Sequence, residues 1–147
     1  MTYVLYQREV WHEMSGEHWS VVYYEADSGE AVVENEMRAF GEKVFARILR
    51  TVDLLEEFGI ELDGDYVEHI EGKIWQLRVG KHRVLYFTFR NKQFVLLRVF
   101  VKKTKKTPRQ EIRIAKNRLD EYTGRFKWQD SVGIILIGAV KANNISK

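Results

Sequence analysis

The 147-residue sequence contains no cysteine, only one proline and no long hydrophobic run. The lack of cysteine excludes a disulfide scaffold and any zinc site with cysteine ligands. The longest apolar stretch, residues 132–140, is too short to span a bilayer, and the N-terminus lacks the pattern of a signal peptide. Phosphate-loop, dinucleotide-binding, serine-hydrolase and metal-ligand motifs are also missing. These absences predict a soluble, cytoplasmic protein without a metal or a nucleotide cofactor.

The composition is typical of one folded domain. Of the residues, 45% are hydrophobic and 13% are aromatic, which suffices for a single core in a chain of this length. Disorder and repeat architectures are not expected from such a composition. We therefore predict one domain spanning residues 1–147.

Charge is divided unevenly along the chain. Residues 1–72 carry 5 Lys+Arg and 17 Asp+Glu, a net charge of −12, whereas residues 73–147 carry 19 and 4, a net charge of +15. The basic half creates a positive field suited to a polyanion, and the acidic half limits indiscriminate binding to nucleic acids. The alternative interpretation is two solvated faces that neutralise each other.

The first half of the chain predicts a strand followed by two helices. Residues 19–24 are rich in aromatic and β-branched side chains, and turn residues follow them. Residues 31–40 and 42–58 are helical in pattern, with Gly41 between them and Gly59 as the C-terminal cap of the second helix. Residues 66–70 form a short ordered segment whose type the pattern leaves open.

The second half predicts an antiparallel meander and a helix. Residues 74–79, 83–89 and 94–101 are strand-like, and loops of hairpin length separate them. A capping box at 107–110 starts a helix whose apolar face ends near Gly124. Residues 132–140 fit a further strand, a short helix or a docking surface for a partner. The predicted fold class is therefore α+β: an N-terminal strand and a helical hairpin packed on an antiparallel sheet, with a C-terminal helix.

The strongest chemical signal is a basic loop between the last strand and this helix. Lys102, Lys103, Lys105 and Lys106 lie close together, and the next acidic residue is Glu111. The helix start adds free backbone N–H groups and the positive end of a dipole. This pattern predicts a phosphate-binding corner, and the alternative is a solubilising loop.

Strand alternation places further polar side chains. In the first strand of the meander, Trp75 and Leu77 share one face, which we assign to the core, and Gln76 and Arg78 share the other. A tight hairpin would bring Arg83 to the same face as Arg78.

Arg98 lies in the middle of an apolar strand, where an arginine needs a partner or a wet cleft. It is either a further cation of the site or the structural partner of Glu68 or Glu71. His82, in the hairpin turn, titrates near neutral pH and is a candidate acid or base, although a histidine in an exposed turn is commonly inert. The other histidines, His12, His18 and His69, are weaker candidates.

Three segments, in this order, carry a family resemblance. They are residues 68–78 (EHIEGKIWQLR), 82–87 (HRVLYF) and 100–108 (FVKKTKKTP), followed by Glu111, Ile112 and Ala115. In this combination they resemble the phage-related HigB-like branch of the RelE/ParE toxin superfamily. The resemblance covers roughly residues 19–122, with extensions at 1–18 and 125–147 outside it.

The resemblance implies a toxin of a type II toxin–antitoxin pair. Such a toxin is a metal-independent endoribonuclease that cleaves translated mRNA on the ribosome, and a helix-turn-helix antitoxin silences it. By motif position, the implied catalytic residues are Arg78, Arg83 and Lys103. The implied RNA-binding residues are Gln76, Lys102, Lys105, Lys106 and Arg109. The candidates for the general acid or base are His82 and Tyr122.

This chemistry needs fixed cations more than it needs a metal. Attack of an RNA 2′-hydroxyl on the adjacent phosphate builds negative charge, which guanidinium and ammonium groups stabilise. The ribosome would supply the in-line geometry by splaying the mRNA. Two alternatives remain open at this point: a ParE-like inhibitor of DNA gyrase, and a non-catalytic module that binds nucleic acid or a partner.

Overall fold

The structure, a computed structural model, describes residues 19–90 and 92–145, with side chains as far as Lys127. Within these residues the chain forms β1 (Ser20–Tyr23), α1 (Val32–Ala39), α2 (Glu42–Phe58), a 3₁₀ turn (Gly59–Glu61), β2 (Val67–Glu71), β3 (Ile74–Val79), β4 (His82–Phe89), β5 (Gln93–Val101) and α3 (Arg109–Ile145). The N-terminal extension, with His12 and His18, lies outside the described residues.

The five strands form one sheet in the order β1-β5-β4-β3-β2. Strands β2 to β5 pair antiparallel as a meander, whereas β1 lies parallel to β5, with Ser20 opposite Gln93. The α1–α2 hairpin packs on one face and α3 packs on the other, so the central strands are apolar on both faces. The predicted α+β fold is confirmed.

The helical hairpin forms because α2 carries an apolar stripe at helical spacing. The buried members of the stripe are Ile48, Val52 and Leu55. Gly59 ends the helix with a φ of 59°, and a Cβ atom there would overlap the indole of Trp19. That indole stacks on Phe94 of β5, with the ring centroids 4.6 Å apart. The predicted helix pair and its glycine cap are confirmed, and the cap also makes room for the residue that leads into β1.

The meander follows the predicted boundaries closely. Strand β3 has the predicted bounds, and β4 and β5 each begin one residue earlier than predicted. The segment of open type at 66–70 corresponds to β2, which pairs antiparallel with β3 at the edge of the sheet.

Burial in β3 differs from the prediction at two neighbouring residues. Leu77 is buried as expected, but Trp75 is 38% exposed and Gln76 is fully buried. Trp75 lies beside Ile60 of the 3₁₀ turn and the ring of His69, whose centroid is 5.1 Å away. The core assignment of Trp75 was wrong because α2 ends at Phe58 and leaves this end of the sheet with less cover.

Helix α3 continues beyond its predicted end. Ile112, Ala115 and Tyr122 on its apolar face are buried, as predicted, but the helix passes through Gly124 to Ile145. A glycine within a helix costs about 1 kcal/mol relative to alanine and does not by itself end the helix. Residues 132–140 are therefore helical in backbone, and their side chains lie outside the described ones. Among the described residues, none of the helices combines the length and the apolarity needed to cross a membrane.

Candidate functional site

Two arginines face each other across the β3–β4 hairpin. The register places Arg78 directly opposite Arg83, because Gly80, with a φ of 59°, allows a tight turn. Paired residues share a face, and here it is the face on which α3 packs. The predicted hairpin register is confirmed. Like charges directly opposite each other repel, so this arrangement requires acidic partners or a bound anion.

Glu68 on β2 is the carboxylate that binds Arg78. The Arg78 Nη2 atom donates to Glu68 Oε2 at 2.9 Å, and Nη1 donates to the backbone carbonyl of Gly64 at 2.7 Å. These two bonds fix the plane of the guanidinium, because they hold two of its nitrogens. Arg78 remains one-third exposed, so one side of it is open to a ligand.

Arg83 is held by the backbone of its own turn. Its Nη1 atom donates to the carbonyl oxygens of Gly80 at 2.6 Å and His82 at 2.9 Å. In the part of the chain that the structure describes, its buried Nε atom has no hydrogen-bond partner. Burial and the neighbouring Arg78 cation lower the pKa of Arg83, while Glu68 acts in the opposite direction. The two guanidiniums thus carry more charge than Glu68 offsets, which favours a bound anion.

The basic loop begins at the same end of the sheet. The backbone N–H of Lys102 donates to the carbonyl of Lys81 at 2.9 Å, which ties the loop to the β3–β4 turn. Lys103, Lys105 and Lys106 are exposed, and none of them forms an ion pair with another described residue. We call this group the cationic corner; its members are Arg78, Arg83, Lys102, Lys103, Lys105 and Lys106.

Arg109 is engaged at the other end of β3. Its Nη1 atom donates to Glu71 Oε1 at 2.9 Å, and Lys116 forms an ion pair with the second oxygen of the same carboxylate. Lys116 and Arg109 together lower the pKa of Glu71 to about 2. Arg109 is largely exposed, and its contact with RNA stays a prediction. An RNA phosphate would have to compete with Glu71 for the Arg109 guanidinium.

Gln76 is not accessible for the predicted contact with RNA. The Thr107 hydroxyl donates to its Oε1 atom at 2.8 Å, and its Nε2 atom donates to Glu68 Oε2 at 3.3 Å. The residue is buried because the segment at Thr107, just before α3, covers this part of the sheet, which strand alternation alone does not reveal. Direct binding of RNA by Gln76 was therefore a wrong expectation.

Neither candidate acid or base lies beside the arginine pair. His82 precedes Arg83 but points to the opposite face by strand alternation, where its ring meets the edge of Phe40 at 4.7 Å. Tyr122 is buried with its ring 6.0 Å from that of Phe87. Phe87 is four residues beyond Arg83, about 13 Å along the strand. The His82 ring thus lies on the opposite face of the sheet from the two guanidiniums, and Tyr122 lies farther along the sheet.

Two further cations near this corner, Arg47 and Lys81, are absent from the prediction. Burial, followed by the charges of Arg47, Lys81 and Arg83, lowers the pKa of His82. An Nη1 atom of Arg47 lies 3.2 Å from the position of a Cβ on Gly80. Lys81 has a local signal, since it sits in the turn between the two arginines. Arg47 comes from α2, and no local pattern indicates its approach to the hairpin.

Arg98 belongs to a separate ion network. It pairs with Glu36 of α1 at 2.9 Å and with Glu111 of α3 at 2.6 Å, and Arg118 of α3 pairs with Glu36 at 2.8 Å. These four side chains are only 17–25% exposed. The expected partners on β2 were wrong, because the two carboxylates reach Arg98 from the helices. Two carboxylates match two guanidiniums, so the network is structural.

A cleft of about 540 Å³ opens between the β2–β3 turn and α3. Its lining includes Ile74, Phe89 and Phe126 and both members of the Glu71–Lys116 ion pair. The segment that leads into α3, where Thr107 bonds to Gln76 on β3, lies between this cleft and the cationic corner. The cleft is therefore not part of the corner.

A family model described as phage-derived Gp49-like protein (DUF891) matches residues 35–120, more than half of the chain. The chain belongs to the Gp49-like family. The Gp49-like region contains both hairpin arginines and the whole basic loop, and it ends before Tyr122. Gp49-like proteins are a toxin-like family of RelE/HigB type, associated with the toxins of toxin–antitoxin systems. No curated protein shows significant similarity to the chain.

Proposed function

We propose that this Gp49-like protein is a HigB-like toxin of a type II toxin–antitoxin pair, and that it cleaves translated mRNA on the ribosome. The observation that carries the proposal is the charge of the cationic corner. Arg78 and Arg83 lie side by side, and Glu68 pairs with Arg78. Beside them, Lys103, Lys105 and Lys106 are exposed and form no ion pair with another described residue. An RNA phosphate between them would supply the negative charge that the corner lacks.

The proposed reaction is an internal transfer of the phosphate. The 2′-oxygen of one nucleotide forms a bond to the adjacent phosphorus, and the bond from phosphorus to the 5′-oxygen of the next nucleotide breaks. The products are a 2′,3′-cyclic phosphate and a free 5′-hydroxyl. Arg78 and Arg83 stabilise the charge that grows on the nonbridging oxygens, and Lys103 adds a third cation. The 2′-hydroxyl proton passes to water, and the leaving 5′-oxygen takes a proton from water.

The ribosome and an antitoxin are the proposed partners. Neither His82 nor Tyr122 places its side chain beside the arginines of the cationic corner, so alignment by the ribosome must supply much of the rate. A cognate helix-turn-helix antitoxin would silence the toxin until it is removed. The site of action is accordingly the cytoplasm, where translated mRNA is found.

The test is induced expression in a bacterial host of the wild type and of Arg83→Ala and Lys103→Ala. Arg38→Ala is the matched control, because Arg38 is exposed and pairs with Glu34 within α1, away from the corner. Growth is followed, and primer extension maps cuts in one mRNA with and without its start codon.

The proposal predicts growth arrest and cuts for the wild type and Arg38→Ala only, in the translated mRNA only. Cuts in both mRNAs would contradict the dependence on the ribosome. Arrest with DNA damage and no cuts would contradict the nuclease and favour gyrase as the target. Normal growth with soluble, folded wild type would favour a binding module.

A further inference from the structure

The amide of Gln76 lies fully buried at the centre of a chain of four polar side chains. It sits opposite Glu68 in the β2–β3 register and below Thr107, which precedes α3. The Thr107 hydroxyl donates to Gln76 Oε1 at 2.8 Å, and Gln76 Nε2 donates to Glu68 Oε2 at 3.3 Å. Burial of an amide in an apolar sheet costs free energy unless its NH₂ group and its carbonyl oxygen are both hydrogen-bonded. In Gln76 both groups are bonded.

Glu68 determines which way the amide points. An ionised carboxylate only accepts hydrogen bonds, so it must face the NH₂ group of Gln76 and not the carbonyl oxygen. The carbonyl oxygen then faces Thr107, whose hydroxyl must act as the donor. Donation therefore runs one way from Thr107 to Gln76 and from Gln76 to Glu68, which acts only as an acceptor.

The same oxygen of Glu68 also binds Arg78. Oε2 accepts from Gln76 Nε2 and, at 2.9 Å, from Arg78 Nη2. The chain therefore runs from Thr107 through Gln76 and Glu68 to the guanidinium. Thr107 is the residue at which the basic loop ends, so the chain connects the loop to the sheet arginine.

We propose that Gln76 is a positioning residue, which couples the anchorage of the basic loop at Thr107 to the orientation of Arg78. The inference rests on the proposed function only in taking Arg78 as a phosphate ligand. Without the amide, Glu68 loses one of the two donors that hold its Oε2 atom and rotates more freely. The Arg78 guanidinium, which bonds to the same atom, then moves with it. Polar networks of this kind act as units, so loss of the Thr107 hydroxyl should affect the orientation of Arg78 in the same way as loss of the Gln76 amide.

Four variants test the coupling. Gln76→Met keeps the length of the side chain but lacks the amide, and Thr107→Val keeps the shape but lacks the hydroxyl. Thr107→Ser restores the hydroxyl, and the fourth variant combines Gln76→Met with Thr107→Val. Cleavage of RNA on programmed ribosomes gives kcat and KM, and NMR of the guanidinium Nε–H groups reports on Arg78, with Arg38 as the internal control.

We expect Gln76→Met and Thr107→Val each to lower kcat about tenfold, because small displacements of a positioning group have effects of this order. KM should change less than about twofold, since the exposed lysines remain. The double variant should be no worse than either single one, and Thr107→Ser should restore kcat. The Arg78 Nε–H signal should shift in the first two variants, while that of Arg38 stays unchanged.

The two proposals fail in different ways. An unchanged Arg78 signal in folded Thr107→Val overturns the positioning role, whatever the nuclease activity. Losses that add in the double variant overturn it as well, because independent sites add. If the wild type makes no cuts but the Arg78 signal responds to Thr107→Val, the coupling stands and the nuclease proposal falls.

Discussion

Two arginine clusters lie on the α3 side of the sheet, and they differ in how their charge is balanced. Arg98 and Arg118 share Glu36, Arg98 also pairs with Glu111, and all four side chains are mostly buried. Among the described residues, Arg78 pairs with Glu68 and Arg83 pairs with no carboxylate, and Lys103, Lys105 and Lys106 beside them are exposed. Sequence spacing does not separate the two clusters, since each contains an arginine within an apolar strand.

The difference teaches that charge balance is a better indicator of function than burial. A balanced buried network holds elements together, and breaking it leaves uncompensated charges. An unbalanced cluster contributes little to the free energy of folding, and an anion that binds to it relieves the repulsion between its cations. The first cluster should therefore affect stability without activity, and the second should affect activity without stability.

The largest expected effect is on the rate of cleavage in Arg83→Ala. Loss of one preorganised donor at a transition-state oxyanion costs about 10²–10³-fold in rate. The free energy of unfolding should change by less than about 1 kcal/mol, because Arg83 bonds only to carbonyls of its own turn among the described groups. Single-turnover cleavage on ribosomes and urea denaturation measure the two quantities. A large loss of stability would show that Arg83 is structural.

Glu36→Ala should show the opposite behaviour. The substitution leaves Arg98, Arg118 and the backbone N–H of Val99 without a shared acceptor. We expect a loss of about 3 kcal/mol in the free energy of unfolding, with cleavage per folded molecule unchanged. Glu36→Gln, which keeps one acceptor, should lose less. Impaired cleavage by folded Glu36→Ala would contradict the separation of the two clusters.

Salt should distinguish the lysines of the corner from other exposed lysines. Each lysine that binds an RNA phosphate contributes about 0.7 to the slope of log affinity against log salt. Lys105→Ala and Lys106→Ala should each reduce the slope by about this amount. Lys73→Ala is the control, because Lys73 is exposed at the opposite end of β3. Equal slopes for all three variants and the wild type would argue against RNA contact by the loop.

The smallest expected effect concerns His82. Its pKa in the folded state is below the ordinary value of 6.5, because of burial and nearby cations. Protonation therefore favours the unfolded state, so stability is complete above about pH 6.5 and declines as the pH falls through that value. His82→Gln should lack this part of the decline in urea denaturation between pH 7.5 and 5. An identical decline in both proteins would contradict the assignment.

Much of the fold could be predicted because its signals are local. The stripe of α2 depends only on helical spacing, and the pairing of Arg78 with Arg83 depends only on the turn at Gly80 between them. The same locality explains the correct placement of the basic loop after β5. The end of α3 was predicted wrongly because a single glycine is a weak stop signal.

The partners of the charged side chains could not be predicted, because they depend on which helix covers which face. Glu36 is 62 positions from Arg98, and Thr107 is 31 positions from Gln76. The exposure of Trp75 and the burial of Gln76 have the same origin, since alternation defines two faces but not the extent of cover on each. Conversely, a polar residue at a strand centre, such as Gln76, is a signal of a hydrogen-bonded partner.

Glu36 has a consequence for folding during synthesis. The carboxylate meets Arg118 only 82 positions later, and Asp27 meets Arg125 98 positions later. Contacts so distant in sequence form late, and a chain emerging from the ribosome is made from its N-terminus. The sheet therefore lacks its second layer until residues 109–127 have emerged. Under the proposed function, a nascent chain tethered to the ribosome that makes it should stay inactive until that point, which would delay cleavage of its own message.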